Sequence, residues 1–385
     1  MTTRSTVLRA AIGASILTVL AAGASAGATP HRPGMTARQH LLPRLRSGSD
    51  GATTDLRAVA AVPGTSYAYV VEARGFGVDN DRFSIMLLHN GHLKRVWTSK
   101  LGGRYGNLAS VAAVSKNNVF VGGAVQVPHG IDDKPAIFRL KGKKFVAMKL
   151  PGTASGAVGV GTITASSPSN VWAVGGIYAA SDTGGPQALH YDGKKWAFTD
   201  TPQSVNFDGQ NDASTSAPGN TWATRGDGNL LVWKGSSWTD LGPAPVTYPG
   251  PIATSSPHLV YVAGTDATGK RAIMKFNGTK WSKTTVKGVP STAVIVDLTV
   301  AGTQGWAVAQ WRNAKSYEVS AILHTSGGAW TKQYVTHGKG LNYINAISAS
   351  SATHVFAVGT HYPDFHTSGH PMTFTLHGHK WTASK

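Results

Sequence analysis

A turn that contains glycine and is followed by an aromatic residue recurs through the chain at nearly regular intervals. The aromatic residues of this motif are Phe145, Trp196, Trp238, Trp281, Trp330 and Trp381, and a degenerate copy ends at Trp97. Successive full copies are 42 to 51 residues apart, with a mean of about 47. Self-similarity at such a period indicates a repeat architecture in which each unit buries its apolar faces against its neighbours.

A second sequence marker recurs at the same period as the glycine turn, which is the first. It is a short apolar run centred on an aromatic residue, and the aromatic residues are Tyr69, Phe120, Trp172, Trp222, Tyr261, Trp306 and Phe356. Each of the two independent markers occurs seven times, which indicates seven repeat units.

The third unit shows how the repeat is organised internally. It contains four strand-like runs, VGTITAS, NVWAVGG, QALHYDG and KWAFTD, and Asp192-Gly193 between the last two is a hairpin signal. Four antiparallel strands in each of seven units predict an all-β fold, a seven-bladed β-propeller over residues 56–385. In such a ring we expect Trp172 to pack between neighbouring blades.

Two segments carry a family resemblance. VFVGG (residues 119–123) and WAVGG…HYDGKKW (172–196) combine a hydrophobic strand ending in Gly-Gly, then a tyrosine, then a tryptophan at the final turn. This pattern resembles the kelch-type repeat, which also builds the central propeller of galactose-oxidase-like proteins. The repeats are also similar to those of secreted bacterial propellers of undefined function. Only units two and three keep both glycines, and Tyr191 and Trp196 are closer together than is usual in the family.

The resemblance does not carry over the copper radical chemistry of galactose oxidase. That centre requires a tyrosine cross-linked to a cysteine, and this chain contains no cysteine. The absence of cysteine also excludes thiolate metal sites and cysteine nucleophiles. We therefore expect no such cofactor.

The N-terminal segment reads as a targeting signal. Arg4 and Arg9 precede an uncharged apolar run, and Ala24-Ser25-Ala26 supplies the small residues of a cleavage site. Residues 1–26 are therefore predicted to be a secretory signal peptide, which makes the mature protein extracellular. Residues 27–55, which contain Arg38, Arg44 and Arg46, are predicted to be a basic, disordered linker.

The chain is strongly basic. It contains 36 Lys and Arg against 18 Asp and Glu, a formal net charge of +18. Such a balance favours polyanionic partners such as cell-wall polymers or acidic polysaccharides. The lysines are spread along the sequence with no run longer than KGKK (141–144), so a general contribution to solubility is the alternative, and a nucleic-acid partner is not favoured.

In an up-and-down blade the loops after strands two and four share one face, and propellers usually bind ligands there. The polar and aromatic residues of these loops are the candidate binding residues: Asp79, Asp81, Arg104, Tyr105, Asp132, Asp133, Asp182, Asn206, Asp208 and Tyr248. Asp212 and Asp266 are expected in loops of the same kind.

Three interpretations of the loop acids remain open. Asp79-Asn80-Asp81 offers oxygen ligands for Ca²⁺, although it lacks the glycine and the distal glutamate of a formal calcium loop. Paired carboxylates such as Asp79, Asp81 and Asp132 would suit acid–base cleavage of a glycoside. The third interpretation is structural, because aspartate is a good turn former.

Histidines fall into two groups. His89, His190, His324 and His377 occupy one repeated position at the end of the third strand, which indicates a structural role. His361, Asp364, His366 and His370 cluster in the last unit, where imidazoles and a carboxylate would suit Zn²⁺ or Cu²⁺.

The sequence thus predicts a secreted, monomeric propeller that binds a carbohydrate or an anionic cell-surface polymer. The alternatives are a polysaccharide hydrolase or lyase that uses the loop carboxylates, and a scaffold for protein partners. The fold alone does not separate these functions.

Overall fold

A computed structural model describes residues 53–75, 82–99, 106–126, 133–153, 159–177, 187–202, 210–364 and 367–384. The predicted signal peptide and nearly all of the predicted linker lie outside these residues. The first strand begins at Thr53, slightly before the predicted start of the propeller at Leu56.

Seven antiparallel sheets of consecutive strands confirm the predicted seven blades. The first strands of the blades are β1 (Thr53–Ala61), β5 (Gly106–Ser115), β9 (Gly159–Ser167), β13 (Gln210–Ala217), β17 (Ile252–Ser256), β22 (Val294–Ala301) and β26 (Leu341–Ser351). The second strands are β2 (Tyr67–Gly75), β6 (Asn118–Gln126), β10 (Asn170–Gly176), β14 (Asn220–Arg225), β18 (Leu259–Thr265), β23 (Gln304–Arg312) and β27 (His354–Tyr362).

The third strands are β3 (Arg82–His89), β7 (Asp133–Lys141), β11 (Ala188–Tyr191), β15 (Asn229–Trp233), β19 (Arg271–Phe276), β24 (Glu318–Thr325) and β28 (His370–His377). The fourth strands are β4 (His92–Thr98), β8 (Lys144–Ala147), β12 (Trp196–Thr199), β16 (Trp238–Pro243), β20 (Trp281–Lys283), β25 (Trp330–Val335) and β29 (Lys380–Ser384). A short extra strand, β21 (Val286–Lys287), pairs in parallel with β25 at the edge of blade 6. None of the described residues forms a helix of the length and apolarity that a membrane span requires.

The first strands contact one another in a closed circle and surround a central cavity of about 130 Å³. Four blades place a hydroxyl on the first strand opposite the aromatic residue of the second strand: Thr164, Ser214, Thr299 and Ser348. Each hydroxyl accepts a hydrogen bond of 3.0 to 3.2 Å from a backbone N–H of the next blade. The blades are therefore joined at the centre by side-chain hydrogen bonds, each contributing about 1 kcal/mol.

Aromatic residues join the blades farther out. The second-strand aromatic residue of one blade meets the fourth-strand aromatic residue of the next in edge-to-face geometry, at ring-centroid distances between 5.1 and 6.3 Å. These pairs are Tyr69–Phe145, Trp172–Trp238, Trp222–Trp281 and Tyr261–Trp330. At these four junctions the two sequence markers are the two halves of one contact between blades, and Trp172 packs between blades as predicted.

The asparagine two residues before the tryptophan accepts a hydrogen bond from the buried indole N–H. The side-chain oxygen of Asn170 accepts a hydrogen bond from Trp172 Nε1 at 3.2 Å, and Asn220 does the same for Trp222 at 2.8 Å. Gly175, in the Gly-Gly that follows, has φ +147°, and a Cβ there would lie 2.6 Å from the carbonyl oxygen of Gly159. Glycine is required because the backbones of β9 and β10 approach each other at this point.

The ring closes without a shared strand, since blade 1 uses β1–β4 and blade 7 uses β26–β29. Polar side chains bridge the junction instead. Thr360 Oγ1 donates to Asp55 Oδ1 at 2.7 Å, and Asn345 Nδ2 donates to the carbonyl oxygen of Leu56 at 2.8 Å. An apolar cluster drawn from both blades, including Leu88 and Phe356, buries the rest of the junction.

Candidate binding faces

Strand direction divides the disc into two faces. The connections after second and fourth strands emerge on one face, here called the loop face. The turns after first and third strands emerge on the opposite face, here called the turn face. All the candidate binding residues of the sequence were expected on the loop face.

Most of those residues lie outside the part of the chain that the structure describes: Asp79, Asp81, Arg104, Tyr105, Asp132, Asp182, Asn206 and Asp208. Their roles stay predictions. Asp133 is the first residue of β7 and pairs with Gln126, which places it at the loop-face end of that hairpin.

Asp212 does not lie in a loop, contrary to expectation. It belongs to β13 and is buried, because the first strand of blade 4 places this side chain at the central cavity, where neighbouring blades supply its hydrogen-bond donors. Its carboxylate accepts hydrogen bonds from Thr162 Oγ1 at 2.9 Å and from the backbone N–H of Ile252 at 3.1 Å. Asp212 therefore links blades 3, 4 and 5 and stabilises the centre of the ring.

The predicted metal set is described only in part, because His366 lies outside the described residues. His361 and His370 are cross-strand partners, and His361 Nδ1 lies 3.0 Å from Asn342 Oδ1. Asp364 Oδ1 accepts a hydrogen bond from the N–H of Thr367 at 2.8 Å. Among the described residues no group of three or more metal-ligating side chains lies together. A metal site here stays a prediction.

The repeated third-strand histidines pack against aromatic residues in three blades. His190 stacks on Trp172 and approaches Asn170 Oδ1 at 2.9 Å, and His324 lies against Trp306 in the same way. Burial lowers the pKa of His190 and His324, because desolvation disfavours the protonated imidazole. His89 stacks on Tyr67, whereas His377 is exposed.

Arg225 is a buried charge at the loop-face end of blade 4. It ends β14, at the strand end where NVWAVGG has glycine, and its side chain is 4% exposed. The guanidinium donates to Asp227, to Asp240 and to the carbonyl oxygen of Pro202, with N–O distances of 2.6 to 2.9 Å. Burial raises the pKa of Asp240, but hydrogen bonds from Asn229 and Gly242 and the charge of Arg225 outweigh it, so that this pKa lies below its ordinary value.

The turns of the turn face carry lysines and almost no acid. Nine exposed lysines lie in or directly beside its described turns: Lys116, Lys141, Lys143, Lys144, Lys194, Lys195, Lys234, Lys280 and Lys380. Asp192 is the single acidic residue of these turns. The ion pairs within the described residues join other charges and use none of the nine. Lysines that are dispersed in sequence thus meet on the turn face, where the described turns hold a single acid.

Asp192, the one acid of the described turns, stabilises the turn in which it lies. Asp192 Oδ1 accepts hydrogen bonds from the backbone N–H groups of Lys194 and Lys195, both at 2.8 Å. These bonds lower the pKa of Asp192. Asn277 makes the same two bonds in blade 5, to the N–H groups of Thr279 and Lys280. A carboxylate is therefore not required for this turn.

Tyr248 is the one residue of the predicted binding set whose side chain is described and prominently exposed. It is 72% exposed and has φ +52°. For a bulky residue this left-handed conformation costs on the order of 1 kcal/mol. It lies on the loop face, in the connection from blade 4 to blade 5.

No protein-family model matches the chain, and no curated protein matches it. Solved structures similar to it include YCF48 bound to a D1 peptide, with a TM-score of 0.53, 14% identity, and coverage of 82% of this chain and 96% of that chain. The β-propeller domain of the Trilobed protease from Pyrococcus furiosus, described as having an open velcro topology, gives a TM-score of 0.51 at 7% identity and covers 86% and 97%. The WD40 propeller domain of Doa1 gives 0.50 at 13% identity, covering 82% and 92%. At these identities the likeness shows the propeller fold and nothing finer.

Proposed function

We propose that this chain is a secreted, kelch-like propeller that binds an anionic cell-surface polymer through its turn face. The observation that carries the proposal is the segregation of charge: nine exposed lysines against one aspartate in the turns of one face. Export rests on the predicted signal peptide of residues 1–26.

The array suits a repeating anion better than a single small ligand. Blades 2 to 5 are consecutive and each contributes a turn lysine, at Lys143, Lys194, Lys234 and Lys280. Lysine is a point charge on a flexible stem, so it accepts phosphate, sulfate or carboxylate without the bidentate geometry that arginine imposes. Each contact is weak in salt, and a polymer that spans several blades adds the contacts together.

The alternatives receive less support from the described residues. The large apolar side chains that are exposed there, Val146, Leu241, Tyr248 and Val294, are dispersed over different parts of the disc and do not form the contiguous patch of a protein scaffold. The acids proposed for a hydrolase, Asp79, Asp81 and Asp132, lie outside the described residues.

Two variants with equal net charge test the proposal. The turn-face variant carries K143Q, K194Q, K234Q and K280Q. The loop-face control carries K134Q, K270Q, K315Q and K339Q, four lysines that are also exposed. The dissociation constant for dextran sulfate is measured by calorimetry between 50 and 300 mM salt, with neutral dextran as the blank.

We expect the turn-face variant to bind at least tenfold more weakly and with a shallower salt dependence, because a basic side chain near an anionic surface contributes up to about 1 kcal/mol. The loop-face control should stay within threefold of the wild type. Equal losses in both variants, or no binding of the wild type at 50 mM salt, would contradict the proposal. Binding to phosphatidylserine vesicles alone would point to a membrane and count against a polymer. The mature N-terminus, expected at Gly27 in the culture medium, tests export.

A further inference from the structure

The turn face carries most of the histidines of the described residues. Of eleven described histidines, eight lie in or within two residues of the turns of this face: His89, His92, His190, His258, His324, His354, His377 and His379. Histidine is the side chain whose charge ordinarily changes between pH 5 and 8. The face proposed to bind a polyanion can therefore gain positive charge in mild acid.

The outer turn of blade 7 repeats the outer turn of blade 2 with histidine in place of lysine. Residues 141–144 of blade 2 read KGKK, and residues 377–380 of blade 7 read HGHK. Both segments are two-residue hairpin turns whose first and last residues pair across the strands, and the turn glycine has φ +60° in both. His377 and His379 thus occupy the first and third positions of a turn in which blade 2 presents lysine.

Both turns project into solvent. All four residues of each turn are exposed, and the aromatic residue that follows, Phe145 or Trp381, is buried. A Cβ at Gly142 or at Gly378 would meet no atom within 4 Å. A macromolecule can therefore reach the two histidines of blade 7 as readily as it reaches the lysines of blade 2.

The outer turn of blade 1 adds an exposed histidine beside blade 7. His89 and His92 are cross-strand partners on either side of Asn90-Gly91, and the side chain of His92 is exposed. The carbonyl oxygen of Gly91 accepts a hydrogen bond of 3.1 Å from Thr373 Oγ1 of blade 7. Blades 7 and 1 therefore continue the ring of turns beyond the lysine-bearing turn of blade 2.

The described titratable neighbours of the blade 7 histidines are basic. His377 pairs with Lys380 across the hairpin. His379 approaches His324 of blade 6, where burial and, after it, the charge of His379 lower the pKa of His324. A polyanion bound at this turn would supply the opposite charge, which favours the protonated form of an imidazole.

The described titratable neighbours of His92 are also basic or neutral. His92 pairs with His89, which stacks on Tyr67 at a ring-centroid distance of 4.2 Å, and Lys116 Nζ lies 5.2 Å from the centroid of the tyrosine ring. Lys94 lies two residues farther along the same strand. The one acid of the described turns belongs to blade 3. The described turns of blades 7 and 1 thus contain no carboxylate to neutralise a protonated histidine.

We infer that His92, His377 and His379 form a proton-dependent part of the polyanion site, so that the turn face binds an anionic polymer more tightly in mild acid than at neutral pH. The lysines of blades 2 to 5 hold the polymer at neutral pH, and the protonated histidines extend the positive surface to blades 7 and 1. The inference rests on the proposed function and adds the regulation of the same site. Because binding and protonation favour each other, the protein must take up protons when the polymer binds.

The test uses the full mature chain and dextran sulfate, whose sulfate esters keep their charge at both pH values. One variant, H92Q/H377Q/H379Q, removes the titrating groups, and a second, H92K/H377K/H379K, makes their charge permanent. H379Q and H337Q form a matched pair of single variants, since both histidines are exposed and they lie on opposite faces. Calorimetry at 50 mM salt gives the dissociation constant at pH 7.5 and 5.5, and titrations at pH 6.5 in two buffers of different ionisation enthalpy give the number of protons taken up.

We expect the wild type to bind at least fivefold more tightly at pH 5.5 than at pH 7.5 and to take up protons at pH 6.5, because each added basic charge strengthens binding to an anionic surface up to about fivefold. The triple glutamine variant should match the wild type at pH 7.5 and gain less than about twofold at pH 5.5. The triple lysine variant should bind at pH 7.5 at least as tightly as the wild type does at pH 5.5. H379Q should lose part of the gain, and H337Q should keep all of it.

Three results would overturn the inference: equal wild-type affinity at the two pH values, the full wild-type gain in the triple glutamine variant, or no proton uptake by the wild type at pH 6.5. Binding that is independent of pH but still weakened by the four lysine substitutions would refute this inference alone. Absence of wild-type binding at pH 7.5 would instead count against the proposed function.

Discussion

Replacing Arg225 by methionine tests how blade 4 is held together at its loop-face edge. The arginine side chain is 4% exposed, and its partners Asp227 and Asp240 are 15% and 26% exposed. Methionine keeps much of the apolar stem but removes all of the donors. Two carboxylates and the carbonyl oxygen of Pro202 then lose their partner in a site with little water.

Removing one partner of a buried ion pair costs about 3–5 kcal/mol, chiefly because the remaining charge is left unpaired. Asp240 keeps hydrogen bonds from Asn229 and from the N–H of Gly242, which places the expected loss near the lower end, at about 3 kcal/mol. The free energy of unfolding in urea, with far-ultraviolet circular dichroism as the signal, measures it.

Arg312→Met is the matched control. Arg312 forms an ion pair with Glu318 at 2.7 Å, but its side chain is 53% exposed. Exposed pairs contribute about 1 kcal/mol or less. If the two variants lose equal stability, or if R225M loses less than about 1 kcal/mol, burial does not govern the strength of this network and the reasoning fails.

Two further predictions concern charge. D192N should keep the turn of blade 3, because Asn277 caps the corresponding turn of blade 5 with the same two hydrogen bonds. It should tighten binding to dextran sulfate about two- to fivefold, because it removes the one acid of the described turns on the turn face. Weaker binding at unchanged stability would contradict the electrostatic account. Burial lowers the pKa of His190 and His324 in the folded state, so as pH falls these histidines are protonated first in the unfolded chain. The free energy of unfolding should therefore decrease as pH drops through about 6.5. Above about pH 7.5 both states hold these histidines neutral, and they add no pH dependence to stability. Urea unfolding at pH 7.5 and 5.5 should therefore show a smaller pH effect in H190Q/H324Q than in the wild type, and an identical effect would refute the assignment.

The number of blades follows from the sequence because one contact repeats. Trp172 and Trp238 belong to different blades and different markers, yet they form a single edge-to-face pair. Any blade needs both partners to bury its faces, so both recur at the same period. Features that occur once have no such signal: the parallel strand β21 depends on the path of one connection between blades 5 and 6.

The candidate sites were less accessible to sequence reasoning, for a geometric reason. Lys143 and Lys280 are far apart in the chain, and only the direction of the strands brings their turns to one face. The signal was present, since a lysine lies within two residues of the turn glycine in five of the repeats. Asp212 shows the opposite error: a polar segment with aspartate resembles a loop, but its carboxylate is needed inside the ring. Tyr248 was selected for its residue type, whereas its strain depends on a crossing with β18 that composition does not reveal.

The two faces of this propeller differ because the turns of one face recur from blade to blade, whereas the connections of the other face differ between blades. Turns such as those at Asp192 and Asn277 are short and fixed by side-chain caps, so a charge beside them is presented at the same place in each blade. Binding by such a face is the sum of small equal contributions, and it weakens gradually as lysines are removed. The connection that carries Tyr248 is specific to one blade and is held by its own contacts. A gradual loss of binding as lysines are replaced one by one would therefore distinguish a function carried by the repeat from one carried by a single loop.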